Sequence, residues 1–146
     1  MSTRASNIHR NAADRLHSAS IHVLRRVARE DAASGLSAAR LSALSVLVFG
    51  GPRTIGELAT AERVRPPTMT SIVHGLEQEG LARRESDPED GRVVRVRATA
   101  KGNRVLQRAR QRRIANLADR LAKLDPAEVA RVREAAELVE TALSET

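Results

Sequence analysis

A helix predicted from Pro66 to Glu79 has one face suited to reading the edges of DNA bases. Its apolar residues recur at three- and four-residue steps and form a core-facing stripe of Met69, Ile72, Val73 and Leu76. The opposite face is small, uncharged and rich in hydroxyl groups, which donate or accept hydrogen bonds at base edges. The alternative is a face that is polar only because it meets water. We predict that DNA is contacted by Pro67, Thr68, Thr70, Ser71 and His74.

A second candidate is the polar loop from Ser86 to Arg92, which lies between two segments predicted to be strands. An arginine at the tip of a hairpin can enter the minor groove of DNA, where the negative potential is concentrated. Arg92 occupies such a position, and the carboxylate of Asp90 could hold its side chain through a charge-assisted pair. The same residues also suit a generic hairpin turn, so the loop alone does not establish DNA contact.

The remaining polar residues do not predict catalysis or metal binding. His9, His17 and His22 share the first predicted helix but lack the i, i+4 spacing that places two imidazoles on one metal ion. The sequence contains no cysteine, which excludes disulfides, thiolate metal sites and a thiol nucleophile. We therefore expect no enzymatic activity, no cofactor and no metal, and a role for His17 and His22 beyond packing stays open.

The charge distribution favours a polyanionic partner on one side of the molecule. The 146 residues carry a net charge of +7, and almost all of the basic residues are arginine. Residues 124–146 hold two arginines against six carboxylates, a balance of −4, which leaves +11 on residues 1–123. A preference for arginine also follows from a GC-rich genome, but the uneven distribution along the chain does not. A basic body with an acidic end is typical of a protein that binds nucleic acid on one side.

The composition also bounds the class of protein. Hydrophobic residues make up 41% of the chain, which is enough to bury the core of one domain. The longest apolar stretch, Ala43 to Phe49, is interrupted by Ser45 and is too short to cross a bilayer. We see no signal peptide and therefore expect a cytoplasmic protein associated with the nucleoid.

Helix signals place the first four elements. A helix is predicted from Asn7 to Ala33, and Ser37 is the expected N-cap of a second helix that ends at Phe49, before Gly50. Thr54 and Glu57 form a capping box that opens a short third helix. The fourth helix has Pro66 and Pro67 in its first turn, where a missing N–H costs little, and Gly80 at its end. A short helix, a tight connection and a second capped helix form a helix-turn-helix pattern.

Two short strands and two helices follow. Leu81 to Glu85 and Val93 to Ala98 are predicted strands, and in the second of them valines alternate with arginines. Thr99 is expected to cap a long helix that continues to about Leu124, and Asp125 with Pro126 begins the last helix. That helix carries a narrow apolar seam typical of pairing with another helix, made of Val129, Val132, Ala136, Val139 and Leu143.

Four motifs together resemble one known family. They are Thr54-Ile55-x-Glu-Leu-Ala, Leu76-Glu77-x-Glu-Gly-Leu, Asp87-Pro88-Glu89-Asp90-Gly91-Arg92 and Thr99-Ala-Lys-Gly102. In this combination the chain resembles the MarR family of bacterial transcription regulators over nearly its whole length. The resemblance implies a homodimer that binds palindromic double-stranded DNA, often a repressor released by a small aromatic or lipophilic ligand. It also implies that Pro66 to Glu79 is the recognition helix and that Asp90 braces a minor-groove Arg92.

Two departures from the family pattern qualify these expectations. Many members have a second arginine at the position of Gly91, so the wing of this chain is expected to contribute less to DNA affinity. Members that sense oxidants use cysteine, which this chain lacks. A non-specific architectural DNA-binding protein, or a ligand- or partner-binding module that has lost DNA binding, are the alternative functions.

The sequence thus predicts a mostly α-helical fold with a small β-hairpin wing. We expect residues 1–36 to form an N-terminal helix in the dimerisation region, 37–99 a winged helix-turn-helix domain, and 100–146 the C-terminal dimerisation helices. The predicted dimer contacts are apolar side chains of the terminal helices, namely Ile8, Leu16, Leu121, Val129, Val132, Val139 and Leu143.

Overall fold

Six helices and a two-stranded antiparallel sheet make up the described part of the chain. The computed structural model describes residues 2–32 and 35–144, with side chains from residue 7 onward. The elements are α1 (Ser2–Ala32), α2 (Ala38–Gly50), α3 (Ile55–Ala61), α4 (Pro66–Gln78), β1 (Ala82–Ser86), β2 (Val94–Ala98), α5 (Ala100–Leu121) and α6 (Pro126–Leu143). This confirms the predicted fold class, mostly α-helical with a β-hairpin after the helix-turn-helix.

The helix ends differ from the predicted ones by a few residues. The first helix begins at Ser2 rather than Asn7, and α5 ends at Leu121 rather than near Leu124. The predicted end of the first helix at Ala33 lies outside the described residues. Shifts of this size are expected where the apolar pattern, rather than a capping group, was the signal.

The capped ends lie close to their predicted positions. Thr54 Oγ1 accepts a hydrogen bond from the Glu57 amide at 3.2 Å, and the Glu57 carboxylate accepts one from the Thr54 amide at 2.8 Å. At the end of α4, Gly80 has a φ of 70° and the amide of Leu81 donates to the carbonyl of Leu76 at 2.8 Å. These contacts are local in sequence, which is why sequence alone could identify them.

The hairpin starts one residue later than predicted, and a residue outside its two strands also pairs with it. Leu81 is not part of β1 because its amide is used to close α4, as described above. The carbonyl of Leu81 instead accepts from the amide of Thr99 at 2.9 Å. Arg53, ahead of α3, pairs with Val96 through two backbone hydrogen bonds of 3.0 and 2.7 Å. The wing is therefore joined at its base to the entrance of the helix-turn-helix.

The core lies among α2, α3, α4 and the hairpin. Its largest fully buried side chains come from all of these elements and are Leu44, Leu58, Met69, Val73, Leu76 and Val96. Because the apolar stripe of α4 points into this cluster, its polar face must point outward.

The start of α5 is fixed against the end of α4 at backbone distance. Thr99 Oγ1 accepts from the amide of Gly102 at 3.0 Å and donates to the carbonyl of Gly80 at 2.7 Å. Lys101 Nζ donates to the carbonyl of Glu79 at 2.7 Å. A Cβ atom at Gly102 would lie 2.1 Å from the carbonyl oxygen of Leu81, so only glycine fits. The Thr-x-x-Gly motif is thus explained by this junction.

By its packing the chain divides into two units, Met1–Arg110 and Gln111–Thr146. The first contains the core described above. The second contains α6, which is described throughout and has no buried residue. In the described chain no helix is long and apolar enough to cross a membrane. The three predicted segments 1–36, 37–99 and 100–146 remain a prediction.

Candidate nucleic-acid interface

The polar face of α4 is open to water. Met69, Val73 and Leu76 are buried and Ile72 is half-buried, as the predicted stripe requires. All five residues predicted to contact DNA are exposed: Pro67, Thr68, Thr70, Ser71 and His74. The face is thus available to a partner.

The hydroxyl groups of this face differ in what they can still donate. Thr70 Oγ1 donates to the carbonyl of Pro66 at 3.0 Å, so its oxygen is left mainly as an acceptor. Thr68, Ser71 and His74 form no side-chain hydrogen bond within residues 7–32 and 35–144. These three can therefore donate as well as accept when a partner approaches.

At the wing tip, Asp90 contacts Arg92 differently from the prediction. Asp90 Oδ1 accepts a hydrogen bond from the backbone amide of Arg92 at 3.0 Å. The predicted ion pair between the two side chains does not occur among the described residues, and both residues are exposed. A side chain two residues before an amide closes an Asx-type turn, and that local bond is made in preference to the guanidinium contact. Asp90 thus shapes the loop backbone and leaves the Arg92 side chain free to reach outward.

Asp87 organises the loop, a role that the sequence analysis did not assign. Its Oδ1 atom accepts hydrogen bonds from the amides of Glu89 at 2.8 Å and Asp90 at 3.2 Å. Its Oδ2 atom pairs with Nε of Arg95, and the Asp87 side chain is only 11% exposed. The Arg95 guanidinium and these two amides hold the pKa of the Asp87 carboxyl below its usual range.

Arg95 joins the wing to the start of α3. Its Nη1 atom lies 3.3 Å from Oε2 of Glu57, the same carboxylate oxygen that accepts from the Thr54 amide. The Thr54 amide, followed by Arg95, lowers the pKa of Glu57, and the pairing with Asp87 raises the pKa of Arg95. One guanidinium therefore bridges two carboxylates on different elements. We define Asp87, Arg95 and Glu57 as the wing tie.

The apolar residues predicted to form a dimer interface are largely uncovered in the single chain. On α1, Ile8 is 67% and Leu16 is 41% exposed. On the C-terminal helices, Val129, Val132 and Leu143 are exposed, and Leu121 and Val139 are half-buried. Each of the two sets, taken within its own unit, leaves apolar surface facing water.

Comparison with known proteins finds transcription regulators, both by family profile and by sequence similarity. The MarR family profile matches residues 36–94. An HTH-type transcriptional regulator of Mycobacterium tuberculosis is 42% identical over 106 residues, which cover 73% of this chain and 74% of that protein. The HTH-type transcriptional repressor IacR of Pseudomonas putida is 33% identical over 76 residues, covering 52% of this chain and 46% of that one.

The fold of a solved structure matches as well. A MarR family protein from Bacillus stearothermophilus superposes with a TM-score of 0.80 over 96% of this chain and 98% of that one, at 21% identity. At that identity the likeness concerns the fold. The sequence relatives and the family profile bear on function.

Proposed function

The chain belongs to the MarR family of winged helix-turn-helix transcription regulators, and from that premise we propose that it represses transcription from a palindromic operator as a homodimer. It would act in the cytoplasm, at the nucleoid. The observation that carries the proposal is the open, hydroxyl-lined face of α4 beside an exposed arginine at the wing tip. In this proposal bases in the major groove are read by Thr68, Thr70, Ser71 and His74, with Pro67 at the groove edge.

The wing supplies a second contact. Arg92 is exposed at the loop tip, and Asp90 fixes the backbone from which it projects. We propose that Arg92 enters the minor groove beside the major groove occupied by α4. The wing tie supports this role, because a loop held at its base loses less freedom when it binds.

The uncovered apolar side chains support the proposed homodimer. The α6 seam repeats at steps of three and four residues, as paired helices do, and a second copy would cover it. Ile8 and Leu16 on α1 would be covered in the same way. Two recognition helices about 34 Å apart would then meet successive major grooves on one face of the duplex.

Release by a small ligand is the regulatory part of the proposal. A groove of about 240 Å³ lies between the end of α2 and the start of α5, lined by Leu47, Val48, Gly51, Pro52, Arg97, Ala98, Thr99, Ala100 and Asn103. Sites for drug-sized ligands measure roughly 300–1,000 Å³, so this groove suits a small aromatic or lipophilic ligand. A ligand that favours a dimer with the wrong spacing would shift the population away from the DNA-binding state.

The test begins by selecting bound fragments from genomic DNA and measuring affinity for the selected site and a scrambled duplex at fixed salt. The double variant Thr70→Ala/Ser71→Ala should lose preference for the selected site and keep affinity for the scrambled one. Arg92→Ala should weaken operator binding without lowering the melting temperature. The exposed α5 variant Gln111→Ala is the matched control.

Two outcomes would contradict the proposal. Equal losses on both duplexes in the double variant would assign Thr70 and Ser71 to the DNA backbone. Equal affinity of the unaltered protein for both duplexes would instead indicate an architectural DNA-binding protein.

A further inference from the structure

The turn between α3 and α4 holds an arginine where glycine is the favoured residue. Arg63 has a φ of 53°, and among the described residues it is the one non-glycine with a positive φ. The turn closes α3 through a bond of 2.9 Å from the amide of Val64 to the carbonyl of Ala59. A glycine would adopt this conformation without the clash between Cβ and carbonyl oxygen. The backbone conformation at this position therefore favours glycine over arginine.

The beginning of α4 is short of hydrogen-bond donors. Arg65 is its N-cap residue and makes no side-chain capping bond, while Pro66 and Pro67 occupy the first two helical positions. Proline has no N–H, so of the first three amides only that of Thr68 remains to face a partner. Helix N-termini commonly bind DNA phosphates through these amides. In α4 the two prolines remove most of these amide donors.

Arg63 and Arg65 are exposed cations at the same end of α4. Neither forms an ion pair within the described residues, whereas Arg40 on α2 and Arg95 and Arg97 on β2 all pair with carboxylates. Both arginines come just before Pro67 and Thr68, the first residues of the open polar face. The guanidinium group binds phosphate oxygens through two parallel N–H donors.

We propose that Arg63 and Arg65 bind backbone phosphates of the DNA at the entrance of α4, in place of the amide donors that Pro66 and Pro67 remove. The inference rests on the proposed function, because it requires α4 to approach a duplex. Phosphate contacts carry no sequence information, so these arginines set affinity and the register of α4 in the groove. Base choice remains with the polar face of α4.

The test exploits the opposite effects expected on folding and on binding. Arg63→Gly relieves the left-handed backbone, so its melting temperature should equal or exceed that of the unaltered protein. Its affinity for a short scrambled duplex should fall by about tenfold, because counterion release is lost at each phosphate contact. The slope of log K against log salt should become less negative by about one per DNA-bound subunit. Arg65→Gln should show the same loss of slope without the gain in stability.

Charge-retaining and distant substitutions serve as controls. Arg63→Lys and Arg65→Lys should keep most of the salt slope, and Arg131→Gln on α6, which removes one positive charge elsewhere, should leave it unchanged. An unaltered slope in both Arg63→Gly and Arg65→Gln would overturn the inference while the proposed function stands. A melting temperature lowered by Arg63→Gly would also overturn it, because the side chain would then serve the fold. If the unaltered protein binds no duplex, both proposals fail together.

Discussion

The helix-turn-helix core and α6 differ in where their apolar side chains go. In the core, Leu44, Leu58 and Met69 are completely buried by neighbouring elements of the same chain. In α6, described from end to end, no residue is buried, and Leu138 and Leu143 are 65% and 70% exposed. Each region nevertheless has a helix that begins with a complete capping box, Thr54 with Glu57 in α3 and Asp125 with Glu128 in α6.

The two regions show that helix capping and apolar burial make separate contributions to a helix. Capping groups determine where a helix begins, and each contributes about 1 kcal/mol. Burial of apolar surface contributes several times more, and most of the stability of helices in proteins comes from packing of an apolar face rather than from helix propensity. The helix-turn-helix is therefore stabilised by burial within the chain, whereas α6 has an exposed apolar seam that the proposed second copy would cover.

The largest expected effect comes from removing a core side chain. Leu44→Ala should lower the free energy of unfolding by about 2–5 kcal/mol, because it leaves a cavity in a fully packed site. Leu138→Ala, the same substitution on exposed α6, should change it by less than about 0.5 kcal/mol. Urea denaturation followed by circular dichroism measures both. Similar losses for the two variants would remove the distinction between the regions.

A charge on the α6 seam should have the next largest effect. Val132→Asp/Val139→Asp places two carboxylates where a second copy is proposed to pack, so the dimer should dissociate at micromolar concentration. Leu138→Asp is the matched control, because at 100° per residue it lies on the opposite side of α6 from the seam. Sedimentation velocity distinguishes the species. A dimer that survives the double substitution would place the interface elsewhere.

Capping substitutions test whether the same device has the same consequence in both regions. Thr54→Ala should reduce global stability by about 1 kcal/mol, since α3 unfolds with the core. Asp125→Ala should instead increase amide hydrogen exchange in the first turn of α6 and leave the protection of Leu58 and Met69 unchanged. Loss of protection throughout the chain in Asp125→Ala would show that α6 and the core unfold together.

The sequence predicted the features that depend on neighbours along the chain. The caps at Ser37, Thr54 and Asp125 and the left-handed Gly80 were identified because each involves residues within one or two helical turns. The apolar stripe of α4 likewise determined its open face. Helix ends without such groups were misplaced by several residues.

Contacts between distant segments were not predicted, and one predicted contact was wrong. The bridge between Arg53 and Val96 is a single backbone pairing with no local pattern. The wing tie depends on strand register, which places Arg95 opposite Glu85 and leaves its guanidinium near Asp87. The ion pair between Asp90 and Arg92 was inferred from their proximity and from the family resemblance, but Asp90 instead accepts a hydrogen bond from the backbone amide of Arg92.

The smallest expected effect concerns the wing, which is held by polar contacts rather than burial. The pKa of Asp87 is lower in the folded state than in the unfolded state. Asp87 therefore stabilises the wing fully when the pH is above its unfolded-state pKa. It loses that contribution as the pH falls through its folded-state pKa. Asp87→Asn should therefore lower the melting temperature slightly at pH 6, with the difference shrinking below about pH 4. Differential scanning calorimetry from pH 3 to 6 measures this, and a difference that is constant with pH would exclude the ionised carboxylate as its source.

The contact at Gly102 has a mechanical consequence for the molecule. No side chain separates the first turn of α5 from the Leu81 carbonyl, so the two backbone segments are in direct contact. We therefore expect a tilt or axial slide at this end of α5 to move the end of α4 as well, because little space is left for repacking. Through this contact, a small displacement of α5 would change the orientation in which α4 meets DNA.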